Sequence, residues 1–262
     1  MKKTFTILVF CVTLCMLSCA QGAFEDPSVK FYEANLSYKQ GDYHQAAIFY
    51  EEILGQGIVG GALYYNLGNS YFKLQQLGKS ILNYERAKLF IPRDSDLQAN
   101  LDYALSLSPQ KPVAQEVPFV ERIIRSYQDM FTAREMMWIS VLFCVVLGIV
   151  VIFAEAFRLS FNKRWVVVTF VAVLVFGQVS IWINKSHDLV RTAVILGDTQ
   201  ARFEPKDQAT EHFRLIAGEK VFVIRIEGDW AKVKRFDGKI GWINVSAFEK
   251  LLSRSISRKG MS

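Results

Sequence analysis

Paired cysteine is the first thing this sequence lacks. Of its four cysteines, Cys11, Cys15 and Cys19 fall in the first twenty residues and Cys144 lies inside an apolar run, so no disulfide framework is expected. The 11, 15, 19 spacing could align three thiols on one helix face, but no fourth ligand accompanies them and no metal site is expected. Histidine is scarce too: His44, His187 and His212 stand apart from one another. There is no P-loop, no GxSxG and no HExxH, and Gly55, Gly57, Gly60 and Gly61 fall in a turn between helices rather than in a phosphate cradle. These absences remove the usual phosphate-binding, serine-hydrolase and zinc-protease classes. The chain reads as a non-enzyme without a cofactor.

What is present in excess is apolar residues, 51% of the chain against 21% charged, and the excess sits in three blocks. Residues 1–22 join Lys2 and Lys3 to an apolar run and a small-residue exit, as a secretory signal peptide does, with cleavage after Ala20 or Gly22, or lipidation at Cys19, left open. Met136–Ala154 and Trp165–Ile183 each run without a charge for about the length that spans a bilayer. Between them, residues 155–164 carry Arg158, Lys163 and Arg164, which the positive-inside rule places in the cytoplasm. The expectation is an inner-membrane protein with two spans, a short cytoplasmic loop and both flanking domains periplasmic.

The segment "YYNLGNSYFKLQQLGKSILNYERAKLFIP", 64–92, is of a different kind. Tyr64, Leu67, Gly68, Tyr71, Ser80, Tyr84, Ala87 and Pro92 follow the order of large, small, aromatic and proline positions of a tetratricopeptide repeat (TPR). Going back 34 residues, Gly68 meets Ala34, Ser80 meets Ala46 and Tyr84 meets Tyr50, so residues 27–60 read as a first, looser repeat before the second at 61–94. Residues 95–107 then read as a capping helix, closing a TPR domain over 23–107. Asn66, Asn69 and Lys73 form one stripe of the first helix of the second repeat, Asn35 and Lys39 repeat it, and Asn100 extends it. Amide and ammonium groups on one face suit the backbone and carboxylate of an extended peptide. A solvated polar face is the plainer reading of the same stripe.

Residues 108–118 hold three prolines and read as a semi-rigid linker, and 119–135 as an amphipathic helix beside the membrane. Beyond the second span the period changes. "TAVIL", "KVFVIRI", "WAKVKRF" and "KIGWI", punctuated by Gly197-Asp198, Gly228-Asp229 and Asp237-Gly238, predict a small all-β barrel over 188–251, followed by a basic tail, 252–262. The order from Gly218 through Trp230 to Gly241-Trp242-Ile243 resembles a bacterial SH3-type domain. That resemblance implies wall peptides or other protein segments as ligands, with Trp230 and Trp242 as aromatic contacts, although either ring could instead be packed inside. Ala23–Val120 carries eight basic and eleven acidic residues and Asn184–Ser262 fifteen and ten, so the C-terminal part can attract acidic partners, anionic lipid or the helical region itself.

The fold class expected is thus a multi-domain membrane protein: an all-α TPR solenoid, a two-helix transmembrane hairpin and a C-terminal SH3-like barrel. This order, with "YYNLGNSYFKL" and "NYERAKLFIPRD" as its most specific stretches, resembles the BatE-type family of Bacteroides aerotolerance (Bat) proteins. The resemblance implies a membrane-anchored interaction scaffold in an envelope complex tied to oxygen tolerance or envelope stress. Its implied partners are membrane proteins with von Willebrand A domains and other Bat proteins. The alternative is a peptidoglycan-binding envelope factor acting through the SH3-like domain. Nucleic acid is not an expected partner.

Overall fold

The computed structural model describes residues 26–107, 133–156, 172 and 189–252. The expected signal peptide and proline-rich linker lie outside the described residues, as does most of 119–135, 155–164, 165–183 and 252–262.

Two helix pairs open the described chain: α1 (Pro27–Lys39) with α2 (Tyr43–Gly55), and α3 (Gly61–Lys73) with α4 (Leu77–Lys88). A fifth helix, α5 (Ser95–Ser106), packs on α4. Aspartates start three of the five: Asp26, Asp42 and Asp94 accept from the backbone N–H of Ser28, Gln45 and Leu97 at 2.9, 2.9 and 2.8 Å. Each satisfies a donor that the first helical turn leaves without an internal partner. The α1 and α3 helices end alike, through a left-handed residue after the last turn: Gly41 (φ 85°) and, one 34-residue period later, Gln75 (φ 61°). The following amides then close back on Ser37 and Tyr71 at 3.0 and 2.9 Å.

Small and aromatic positions set how closely each pair packs. Ala34, Ala46 and Tyr50 are buried, as are Gly68, Ser80 and Tyr84 one period on. A β-carbon on Gly68 would lie 2.6 Å from the Tyr84 ring, so α3 and α4 meet at a distance only glycine permits.

The second half is one antiparallel sheet. Its strands are β1 (Thr192–Ile195), β2 (Thr199–Arg202), β3 (Glu211–Leu215), β4 (Lys220–Glu227), β5 (Trp230–Arg235), β6 (Ile240–Asn244) and β7 (Phe248–Lys250), in the order β3-β2-β6-β5-β4-β1-β7. All seven feed one apolar cluster that includes Ile195, Leu215, Val221, Val233, Ile243 and Phe248, so the sheet curls around its own core. Gly228-Asp229 is the two-residue turn of the β4–β5 hairpin, whose last pair is Glu227 with Trp230. Gly197-Asp198, by contrast, joins strands that do not pair with each other. Three strands escaped the sequence reading, β2, β3 and β7, because "TQAR", "EHFRL" and "FEK" lack the apolar alternation that marks the others.

The two halves are not separate modules. Helix α4 lies on β1, the start of β4 and the residues just after β7, and one apolar cluster takes Tyr64, Ile81, Leu82 and Tyr84 from the helices with Val194 and Leu251 from the sheet. A β-carbon on Gly78 would fall 2.2 Å from the Leu196 carbonyl oxygen, and one on Gly218 2.2 Å from the Ile81 side chain. Around this apolar centre Lys220 pairs with Glu85 at 2.5 Å, and Arg86 with Glu249 at 2.7 Å.

The expected transmembrane hairpin is corrected. Of its two runs, Trp165–Ile183 lies outside the described residues except for Ala172, while Met136–Ala154 falls within a single helix, α6 (Ala133–Ala156). That helix crosses both boundaries drawn from hydropathy, at 135/136 and 154/155. Among the described residues no helix is long and apolar enough to cross a membrane. The two-span fold class falls with this, and so does the inner-membrane localisation with its periplasmic and cytoplasmic sides. The described architecture is helical repeats joined to an antiparallel sheet, plus helix α6.

Candidate functional site

Helices α1, α3 and α5 each contribute to one line of asparagines. Asn35 Oδ1 accepts from the Tyr50 hydroxyl at 2.7 Å and from Asn66 Nδ2 at 2.9 Å. One period on, Asn69 Oδ1 accepts from the Tyr84 hydroxyl at 2.7 Å and from Asn100 Nδ2 at 3.1 Å, and Asn100 Nδ2 also donates to the Tyr65 hydroxyl at 2.9 Å. The two rungs are copies of one another. Each takes an acceptor from the first helix of one repeat, a hydroxyl from its second helix, and a donor from the next repeat.

Half of each amide is consumed in this way. Among the described residues, Nδ2 of Asn35 and Asn69 and Oδ1 of Asn66 and Asn100 have no partner. The line therefore offers donor, acceptor, donor, acceptor in order. A peptide main chain offers the complementary alternation. Tyrosine closes the line at both ends: Tyr32 stands one period before Asn66 and Tyr103 one period after Asn69, 68% and 58% exposed.

Beside the first rung is a cavity of about 310 Å³, lined by Asn35, Tyr38, Lys39, Tyr50 and Asn66. Lys39 and Lys73 are exposed at the ends of α1 and α3. Burial pushes the Tyr50 hydroxyl up to about 12 and the Tyr84 hydroxyl higher still, so both remain neutral donors near neutral pH. The charged residue in the cavity lining is Lys39. Of the six residues of the predicted stripe, the four asparagines bond into these two rungs and Lys39 lines the cavity beside the first, while Lys73 is exposed at the end of α3. Tyr50 and Tyr84, aromatic positions of the repeat pattern, are also the hydroxyls that hold the asparagines in place.

The two tryptophans of the sheet differ. Trp242 is 5% exposed and sits under two cations, Arg225 at 5.2 Å and Lys232 at 5.8 Å from its ring. Trp230, at the start of β5, is half-buried and lines a second cavity, of about 500 Å³, between β2, β3 and the β5–β6 pair. His212 stacks on Phe203 at 4.1 Å, away from the lining of either cavity. No family model and no curated protein matches this chain.

Proposed function

We propose that the helical half is a peptide-binding module, and that the protein is an interaction scaffold engaging an extended segment of a partner protein along the Asn35–Asn100 line. The observation that carries this is the alternation of unused amide donors and acceptors across two repeats, held in place by buried tyrosine hydroxyls. A solvated polar face needs no such fixing. A binding face gains from it, because less side-chain freedom is lost when the ligand arrives. Lys39 and Lys73 add a preference for acidic segments or a terminal carboxylate. The partners that the Bat resemblance implies, proteins with von Willebrand A domains and other Bat proteins, are the first to try, in the setting of oxygen tolerance or envelope stress.

The test compares wild type with Lys39→Glu/Lys73→Glu and with Asn66→Ala for binding to purified candidate partners. Both variants leave the tyrosine bonds to Asn35 and Asn69 intact. At least a tenfold loss, about 1.4 kcal/mol, is expected from each. Variants that stay folded and bind as tightly as wild type would reduce the line to a structural ladder.

A further inference from the structure

The cleft beside Trp230 lies in the sheet half, on elements that take no part in the asparagine line. Much of its polar lining is hydrogen-bonded within the sheet half. Arg202 Nη1 donates to the Ala209 carbonyl at 2.6 Å, Arg214 Nη2 donates to Asp198 Oδ2 at 2.6 Å, and Asp198 Oδ1 accepts from the Ala217 amide at 3.1 Å. Asn244 Oδ1 accepts from the Ser246 amide at 2.9 Å. Two exposed side chains, Gln200 and Asp207, have no partner among the described residues and complete the wall.

Charge and shape together narrow the ligand. The lining carries two guanidinium groups and, with Asp207, two carboxylates, so their charges cancel and neither an anion nor a cation is selected. It contains one aromatic ring, Trp230, and no aliphatic pocket in which an apolar peptide side chain could anchor. A sugar ring has the matching form: an apolar C–H face to lie on an indole, and a rim of hydroxyls that each donate and accept. We infer that this cleft binds a neutral oligosaccharide, with Trp230 as the stacking surface and Gln200, Asp207 and the fixed guanidinium groups reading the hydroxyls. The volume admits about two or three sugar rings. Wall peptides or other protein segments, the ligands that the SH3-type resemblance implies, would need the apolar pockets that this lining lacks.

The experiment titrates the full-length protein with chitotriose and maltotriose, two neutral trimers, and follows tryptophan indole NMR signals, the Trp230 signal being assigned with Trp230→Phe. Expected is a saturable shift of the Trp230 signal with the Trp242 signal unmoved. Asp207→Ala and Gln200→Ala, both at exposed positions, should each weaken binding about tenfold or more. A negatively charged trimer, tri-galacturonate, should bind more weakly than either neutral one. The inference is overturned if neither neutral trimer saturates, if Asp207→Ala and Gln200→Ala leave binding unchanged, if tri-galacturonate binds best, or if a glycine-rich or proline-rich peptide occupies the cleft and the trimers do not.

Discussion

Arg86 Nε donates to the carbonyl of Leu251 at 3.1 Å, joining residues 165 positions apart. The same guanidinium reaches the Lys250 carbonyl at 2.8 Å and the Glu249 carboxylate at 2.7 Å, while its side chain is only 7% exposed. A buried cation is costly unless it is paired and fully hydrogen-bonded, and here the pairing comes from the far end of the described chain.

Removing that guanidinium should therefore loosen both halves at once. Arg86→Ala is expected to cost about 3 kcal/mol, because one buried and one half-buried carbonyl lose their donor together with a charge-assisted contact. Arg86→Lys should recover little, since an ammonium cannot fork to three acceptors in a plane. Urea unfolding checks both, and a loss under about 1 kcal/mol would mark the contact as incidental.

Gly78 tests the same junction from the steric side. Its missing β-carbon would fall 2.2 Å from the Leu196 oxygen, a backbone atom with little room to move. Gly78→Ala raises helix propensity, yet it is expected to lower stability by about 1–3 kcal/mol through overpacking. A stabilised variant in thermal unfolding would show that α4 does not press on the sheet in solution.

Gln75 predicts the opposite sign. It adopts φ 61° at the place where the first repeat has Gly41, and a side chain is disfavoured there. Gln75→Gly should raise stability by about 1 kcal/mol, visible as a higher midpoint in urea. Gly41→Gln should lower it by a similar amount.

The β5–β6 turn gives a pH prediction. A hydrogen bond from Arg235 holds the Asp237 carboxyl down to about 2, against an ordinary 3.8. A lowered carboxyl stabilises the fold above its unfolded value and loses that effect as pH falls through the folded one, so the window runs from about 4 to about 2. Glu219, raised by burial near the same arginine, acts with the opposite sign: its contribution is present in acid and lost as pH rises through its raised value. Asp237→Asn should flatten the wild-type loss of stability between pH 4 and 2. An unchanged acid limb in thermal melts would exclude this pair as its source.

How much of this the chain announces depends on the range of each interaction. A helical half followed by a sheet half is readable, because the 34-residue spacing of Tyr50 and Tyr84 and the alternation in "KVFVIRI" are local patterns with direct packing consequences. Asn35, Asn66, Asn69 and Asn100 could be placed on one face, but their bonds to each other depend on how the repeats stack. The contact of α4 with β1 leaves no periodic trace, since Gly78 and Arg86 look like ordinary helix residues until the sheet arrives.

Repeat arrays usually lengthen by duplication, since a copied unit brings a complementary surface for its neighbour. The second repeat here is not free to be copied. A duplicate would carry Gly78, Glu85 and Arg86 on an outer face with no sheet to receive them, leaving an arginine without its carbonyls and a notch without its strand. The sheet thereby fixes the register of the whole array, and the number of repeats becomes a property of the fold and not of the gene's history.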